Sequence, residues 1–461
     1  MNLKYEKKDI YTGLNEEQIK NANVYATEYM DFLNRCKTEY LCVDEAVKIL
    51  NENGFVNILN KNTLTTGDKI YFINKEKSLF VSIIGEQNLK EGLNIIGAHI
   101  DSPRIDLKPM PLFEKHNIAL LKTQYYGGIK PYQWLAIPLA MHGVIYKQNG
   151  EKINVSIGEA DDDLCFTIAD LLPHLAKDQL KPSAGEFIDP EKMSIFIGNT
   201  KNKDANDTSV KSAVLKILNE KYGITEIDFS RSDISFVPSF KPRFVGIDRS
   251  MIGGYGQDDR VCSYATLRAI IEVAKSGNKY SKTMIAMIVD KEEIGSEGNT
   301  SMSSQSFDMF MNKIISKTGN NDIDRLEIYY NSKMLSADVT AGVDPDYEEV
   351  HDVQNASIIG SGISIDKYGG SRGKAGASEA SAKLMSNIQS LFDKNGVVYQ
   401  MGTLGKIGKG GGGTIAFILA NKGVDVVDCG PAVIGMHSPF EITNKYDVYM
   451  TYLAYKAFFE A

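Results

Sequence analysis

Short apolar runs that end abruptly on a histidine or on paired acids constrain this chain more than any other feature. NIIGAH ends on His99 with Asp101 just beyond it, MIAMIVD leads through Asp290 to Glu292 and Glu293, and PAVIGMH ends on His437. Runs of this length, rich in isoleucine and valine, read as buried strands. Further strands are expected at 69–74, 79–85 and 325–330, and segments of helical period at 18–35, 262–275 and the aromatic-rich 444–461. Strands alternating with helices predict an α/β fold.

Between about 109 and 243 the texture changes. Extended segments such as 153–158 and 234–237 are separated by polar, lysine-rich stretches like 200–207. This reads as a β-rich domain inserted into the α/β one, giving parts 1–108, 109–243 and 244–461, and 461 residues are more than a single core usually supports. The formal net charge of -8 with no clustered basic face argues against a nucleic-acid partner. The first residues, MNLKYEKKD, lack the apolar stretch of a secretory signal, and the longest apolar neighbourhood, 134–146, is interrupted by Pro138 and His142. A cytoplasmic protein without a membrane partner is expected. The five scattered cysteines, without CxxC spacing, indicate reduced thiols and neither a disulfide framework nor a cysteine metal site.

The chemistry concentrates at the ends of the apolar runs. In HID, the period of an extended chain points His99 and Asp101 to one side, so that one can bind a metal and the other orient it. Asp258 and Asp259 open a helix-like run; they are suited to its positive end, and a carboxylate there can also bridge two cations. Glu292 and Glu293, if extended, point in opposite directions, which separates a ligand from a base. Asp338 and His437 complete a set of nitrogen and oxygen donors suited to zinc, cobalt or manganese. A phosphate loop at 402–410 is set aside, because Thr403 stands where a glycine is needed and Gly410 where a hydroxyl is. The lysines at 201–203 read as a solvated loop.

In order, wording and spacing, the elements HID, DD, EE, AD and MHS resemble the motifs of the M18 metallo-aminopeptidases over essentially the whole chain. The resemblance implies a mixed-sheet α/β catalytic domain of co-catalytic metallopeptidase type, interrupted by a β-rich dimerisation domain, with dimers building a dodecamer. It further implies two divalent metals, zinc first, held by His99, Asp258 and Asp338 and by Asp258, Glu293 and His437, with Asp258 as the bridge. Asp101 would orient His99, Glu292 would be the general base, and the substrates would be peptides with free N-termini. His174, in Pro173-His174-Leu175, resembles a histidine that reaches a neighbouring subunit's site, and Arg372 or Lys374 falls where a cationic group would meet an acidic N-terminal side chain. Tyr126-Gly127-Gly128 and the glycines at 410–413 match as well.

The resemblance breaks at Asp344, which stands where much of the family has a histidine credited with substrate contact, and after Gly128, where the family's WFDRDL wording is missing. Substrate preference therefore does not carry over. The alternatives are an M42-type aminopeptidase or related dinuclear amidohydrolase, against which the inserted domain and the MHS ending argue, and a non-catalytic scaffold. A scaffold would betray itself by a lost ligand or base, and each of these positions is intact.

Overall fold

The computed structural model describes residues 3–4, 7–160, 163–203, 207–319, 324–370 and 376–461. The chain divides into two compact units: Met1–Asp101 with Pro242–Met436 and Phe440–Ala461, and Ser102–Lys241 with His437–Pro439.

In the first unit, nine strands among the described residues form a mixed sheet. Its centre is parallel: Met284–Val289, Asn94–His99, Lys333–Ser336 and Asp425–Gly430 lie side by side. Every residue of Asn94–His99 and Met284–Val289 is buried, as expected of strands covered on both faces. Neighbouring positions feed opposite cores. Ile96, Ala286 and Leu335 join one cluster with helices Glu16–Arg35, Gln257–Lys275 and Lys445–Phe459. Ile95, Met287 and Met334 join a second cluster with helices Ser306–Lys317 and Ala416–Ala420. The mixed α/β fold read from the sequence is thus present, with helices on both faces of the sheet.

One expected strand is a helix. Arg325–Asn331 is helical, and the strand follows it at Lys333–Ser336. Isoleucine and tyrosines gave the segment strand-like character, but the adjacent residues Ile328 and Tyr329 are both buried while Leu326 and Tyr330 face out, a burial pattern of helical rather than alternating period. The Tyr329 hydroxyl fixes that helix by donating to Asp308 at 2.7 Å.

The second unit holds a six-stranded antiparallel sheet, in the order Lys152–Ile157, Leu139–Tyr146, Ser232–Pro238, Arg104–Lys115, Ile118–Tyr126 and Ile195–Gly198. Arg104–Lys115 is continuous, so the boundary expected after residue 108 falls inside a strand. That strand pairs with Ile118–Tyr126 from Arg104 onward. Helix Val210–Tyr222, capped by Ser209 and closed by left-handed Gly223, packs on this sheet.

Candidate active site

Parallel strands bring their carboxyl ends to one edge of a sheet, which is where sites of open α/β folds form. Strand Asn94–His99 ends on His99, Met284–Val289 runs on to Glu292, and Lys333–Ser336 runs on to Asp338. Asp258 arrives from a separate element. Gly256, at φ 75°, takes a left-handed turn that L side chains rarely adopt, and Asp258 follows before regular helical torsions begin. The peptide bond between Asp258 and Asp259 is cis.

His99 is the hub. Its Nε2 lies 3.2 Å from Asp258 Oδ1, 3.7 Å from Asp338 Oδ1 and 3.9 Å from Glu292 Oε2. One ligand atom from each of His99, Asp258 and Asp338 falls within 4.8 Å of the others. A carboxylate oxygen of Glu293 lies within the same limit of one on Asp258.

Asp101 does more than orient His99. It is fully buried and stands 3.4 Å from His99 Nδ1 through Oδ1, while its two oxygens accept the backbone N–H groups of Glu292 and Glu293, each at 3.1 Å. His99 Nδ1 also lies 3.1 Å from the carbonyl oxygen of Asp101, so this one residue fixes the imidazole through its carbonyl and carboxylate and the acidic turn through its carboxylate. The two glutamates are not extended, as the sequence had suggested. They occupy a single 3-10 turn, Glu292–Ile294, entered through left-handed Lys291 at φ 68° and left through Gly295. The Asp101 carboxylate holds that turn by its first two N–H groups.

Two supporting residues carried no recognisable sequence signal, and a third was legible only in part. Glu441 Oε2 accepts the N–H groups of Gln257 at 2.6 Å and Asp258 at 3.2 Å, so it sets where Asp258 sits. Ser263 donates to His99 O at 2.7 Å. Asp259, singled out only as half of the acidic pair, accepts from His99 N–H at 3.3 Å.

So many carboxylates in a dry place repel one another. Burial, then the charge of Asp338, pushes Asp259 well above the carboxylate range, and burial raises Asp338 as well. Glu292 is pushed up to about 8 by burial, with His99 pulling it down and Asp338, Asp101 and Asp258 adding to the rise. Burial would lower His99, but hydrogen bonds to Asp101, Asp258 and Asp338 carry it well above its usual range. Positive charge at this point offsets the repulsion among the acids. A divalent cation supplies the same positive charge to the same oxygens, with neutral imidazole as a nitrogen ligand, so this donor set fits zinc or a similar metal.

In the second unit, His437 adopts φ 65°, and its Nδ1 lies 2.9 Å from the carbonyl oxygen of Gly128. A side chain at Gly128 would meet Nδ1 at 3.3 Å, which gives the Tyr126-Gly127-Gly128 wording a physical reason. His174 sits exposed in the short turn Pro173–Leu175 of the same unit. Asp344 caps the turn Pro345–Val350 by accepting from Asp346 N–H. Arg372 and Lys374 lie outside the described residues.

A buried histidine ringed by carboxylates, at the carboxyl ends of parallel strands in a mixed α/β sheet, defines a metal-dependent hydrolase. The model of the family described as aminopeptidase I zinc metalloprotease (M18) matches residues 32–459. This chain belongs to the M18 peptidase family and is a metallo-aminopeptidase. It is 44% identical to a probable M18 family aminopeptidase 1 of Clostridium acetobutylicum, over 98% of each chain. It shares 42% identity and a TM-score of 0.94 with the crystal structure of an M18 aminopeptidase from Thermotoga maritima, covering 99% of this chain and 100% of that one. The Saccharomyces cerevisiae mApe1 dodecamer shares the fold at a TM-score of 0.77 and 21% identity, over 95% of this chain and 97% of that one. The family read from the motifs is the family found, and the M42-type alternative falls away. No helix among the described residues is long and apolar enough to cross a membrane.

Proposed function

We propose that this aminopeptidase works with a pair of divalent metals, zinc by preference, and a glutamate base. The observation that carries the reading is the buried group of His99, Asp258 and Asp338 with the Glu292 carboxylate beside it. His99, Asp258 and Asp338 would hold one metal; Asp258, Glu293 and His437 would hold the other.

Bound as a pair, the metals would acidify the attacking water, polarise the scissile carbonyl and take the substrate's free α-amino group. Glu292 accepts the proton of that water and returns it to the leaving amine, a role that needs a carboxylate able to hold a proton near neutral pH. Asp101 keeps base and ligand apart by holding the Glu292–Ile294 turn, and it fixes the tautomer of His99 that presents Nε2.

The antiparallel unit serves as the dimerisation domain of a homo-oligomer. His174, exposed on it, acts in a neighbouring subunit's site, where it stabilises negative charge on the substrate carbonyl oxygen. The dodecamer of the yeast protein supports dimers that assemble further.

The test is elemental analysis of the purified protein together with hydrolysis of aminoacyl reporters. Two metals per chain are expected, with activity abolished by a chelator and restored by zinc. Protein that carries two metals and cleaves no reporter or peptide would be a peptidase-derived scaffold.

A further inference from the structure

A cavity of about 1090 Å³ opens beside Asp338 within the first unit. Sites for small ligands span roughly 300–1,000 Å³, so this one admits a long side chain with room for its backbone. Part of its lining is apolar, including Val339, Tyr368, Leu404 and Cys429. Its charge is one-sided: among the described lining residues, Asp338, Asp352, Asp366, Glu379 and Asp428 face a single lysine, Lys406, whose Nζ is turned to the carbonyl oxygen of Glu349 at 3.4 Å.

Two of these acids are set in the sheet itself. Asp366 and Asp428 are directly opposite one another in the antiparallel pairing of Ile363–Asp366 with Asp425–Gly430. Each is only 8% exposed. Like charges in that arrangement are destabilising. Their donors are hydroxyls: Thr340 at 2.8 Å and Ser364 for Asp366, Thr414 at 2.7 Å and Ser336 for Asp428. No lysine or arginine among the described residues pairs with either. Burial raises Asp366 and takes Asp428 to about 7, which is the cost that a cation facing them would remove.

We propose that this cavity receives the side chain of the substrate's N-terminal residue and selects a cationic one, lysine or arginine, through Asp366 and Asp428. The inference rests on the aminopeptidase site proposed above, because the cavity is continuous with Asp338. A lysine or arginine stem is apolar and its head charged, which matches an apolar wall leading to buried carboxylates. An acidic side chain would be driven against them.

The experiment is a panel of lysyl, arginyl, leucyl, aspartyl and glutamyl reporters with the zinc-loaded enzyme and its Asp366→Asn variant, and with Asp428→Asn as a second variant should the first fold poorly. Lysyl and arginyl reporters should lead in kcat/KM, and the variant should lower the lysyl-to-leucyl ratio about 30-fold, the low end of what losing one partner of a buried charge pair costs. A preference for aspartyl or glutamyl reporters overturns the inference and leaves the aminopeptidase reading standing, as does a lysyl preference that neither variant changes. Failure to cleave any reporter overturns both.

Discussion

Replacing each of the adjacent glutamates by glutamine separates their roles. In Glu292→Gln the shape of the side chain is kept, and the backbone N–H groups of 292 and 293 still reach the Asp101 carboxylate, so turn and fold should survive. What is lost is the proton acceptor. Removing a positioned base typically costs on the order of 10²–10⁴-fold in rate. The structure also gives a signature in pH. Without an ion the Glu292 carboxyl is pushed up to about 8 by burial and by its acidic neighbours, with only His99 pulling it down. A bound cation acts in the same direction as His99, so in the loaded enzyme the limb on which kcat/KM rises with pH should lie below 8, and the variant should lack it. Glu293→Gln should instead lower the occupancy of one metal, since a neutral amide oxygen is a poorer ligand than a carboxylate, and excess metal should restore part of the rate. The assays are metal content by elemental analysis and a pH profile of kcat/KM on one reporter. If Glu292→Gln loses metal while Glu293→Gln keeps it, the two roles are reversed; if Glu292→Gln keeps its rate and its pH limb, the residue is not the base.

Two further outcomes follow from buried carboxylates that hold backbone. Asp101→Asn puts an amide N–H₂ where one oxygen now accepts a glutamate N–H, so metal affinity should fall about 10–100-fold in a metal titration; unchanged affinity would reduce Asp101 to a bystander. Asp447 is fully buried and accepts the N–H groups of Gly360 at 2.6 Å and Gly362 at 2.7 Å, yet burial takes its carboxyl up to about 7. Because the folded value lies above the ordinary one, its contribution is fully present below about pH 4 and is lost as pH rises through about 7. Urea unfolding should show roughly 3 kcal/mol lost from this group between about pH 5 and pH 8, and Asp447→Asn should flatten that part of the profile; an equal slope in the variant would show that the group does not titrate there.

By itself the sequence determined the α/β class and the strands Lys69–Asn74, Asn94–His99 and Met284–Val289; the last two are buried throughout, so their runs are largely apolar until they meet the site. It also placed the candidate ligands at strand ends, since His99, Glu292 and Asp338 each follow such a run within a few residues. It did not determine the helix Arg325–Asn331, whose residues favour a strand locally and are turned into a helix by the burial of Ile328 and Tyr329. Nor did it show that Asp101 holds the Glu292–Glu293 turn across 191 positions of chain, or that Glu441 holds Asp258 across 183. Contacts so distant leave no periodicity to read. The opposition of Asp366 and Asp428 is of the same kind: each is an ordinary aspartate in its own segment, and only the pairing of two strands sets them face to face beside the cavity.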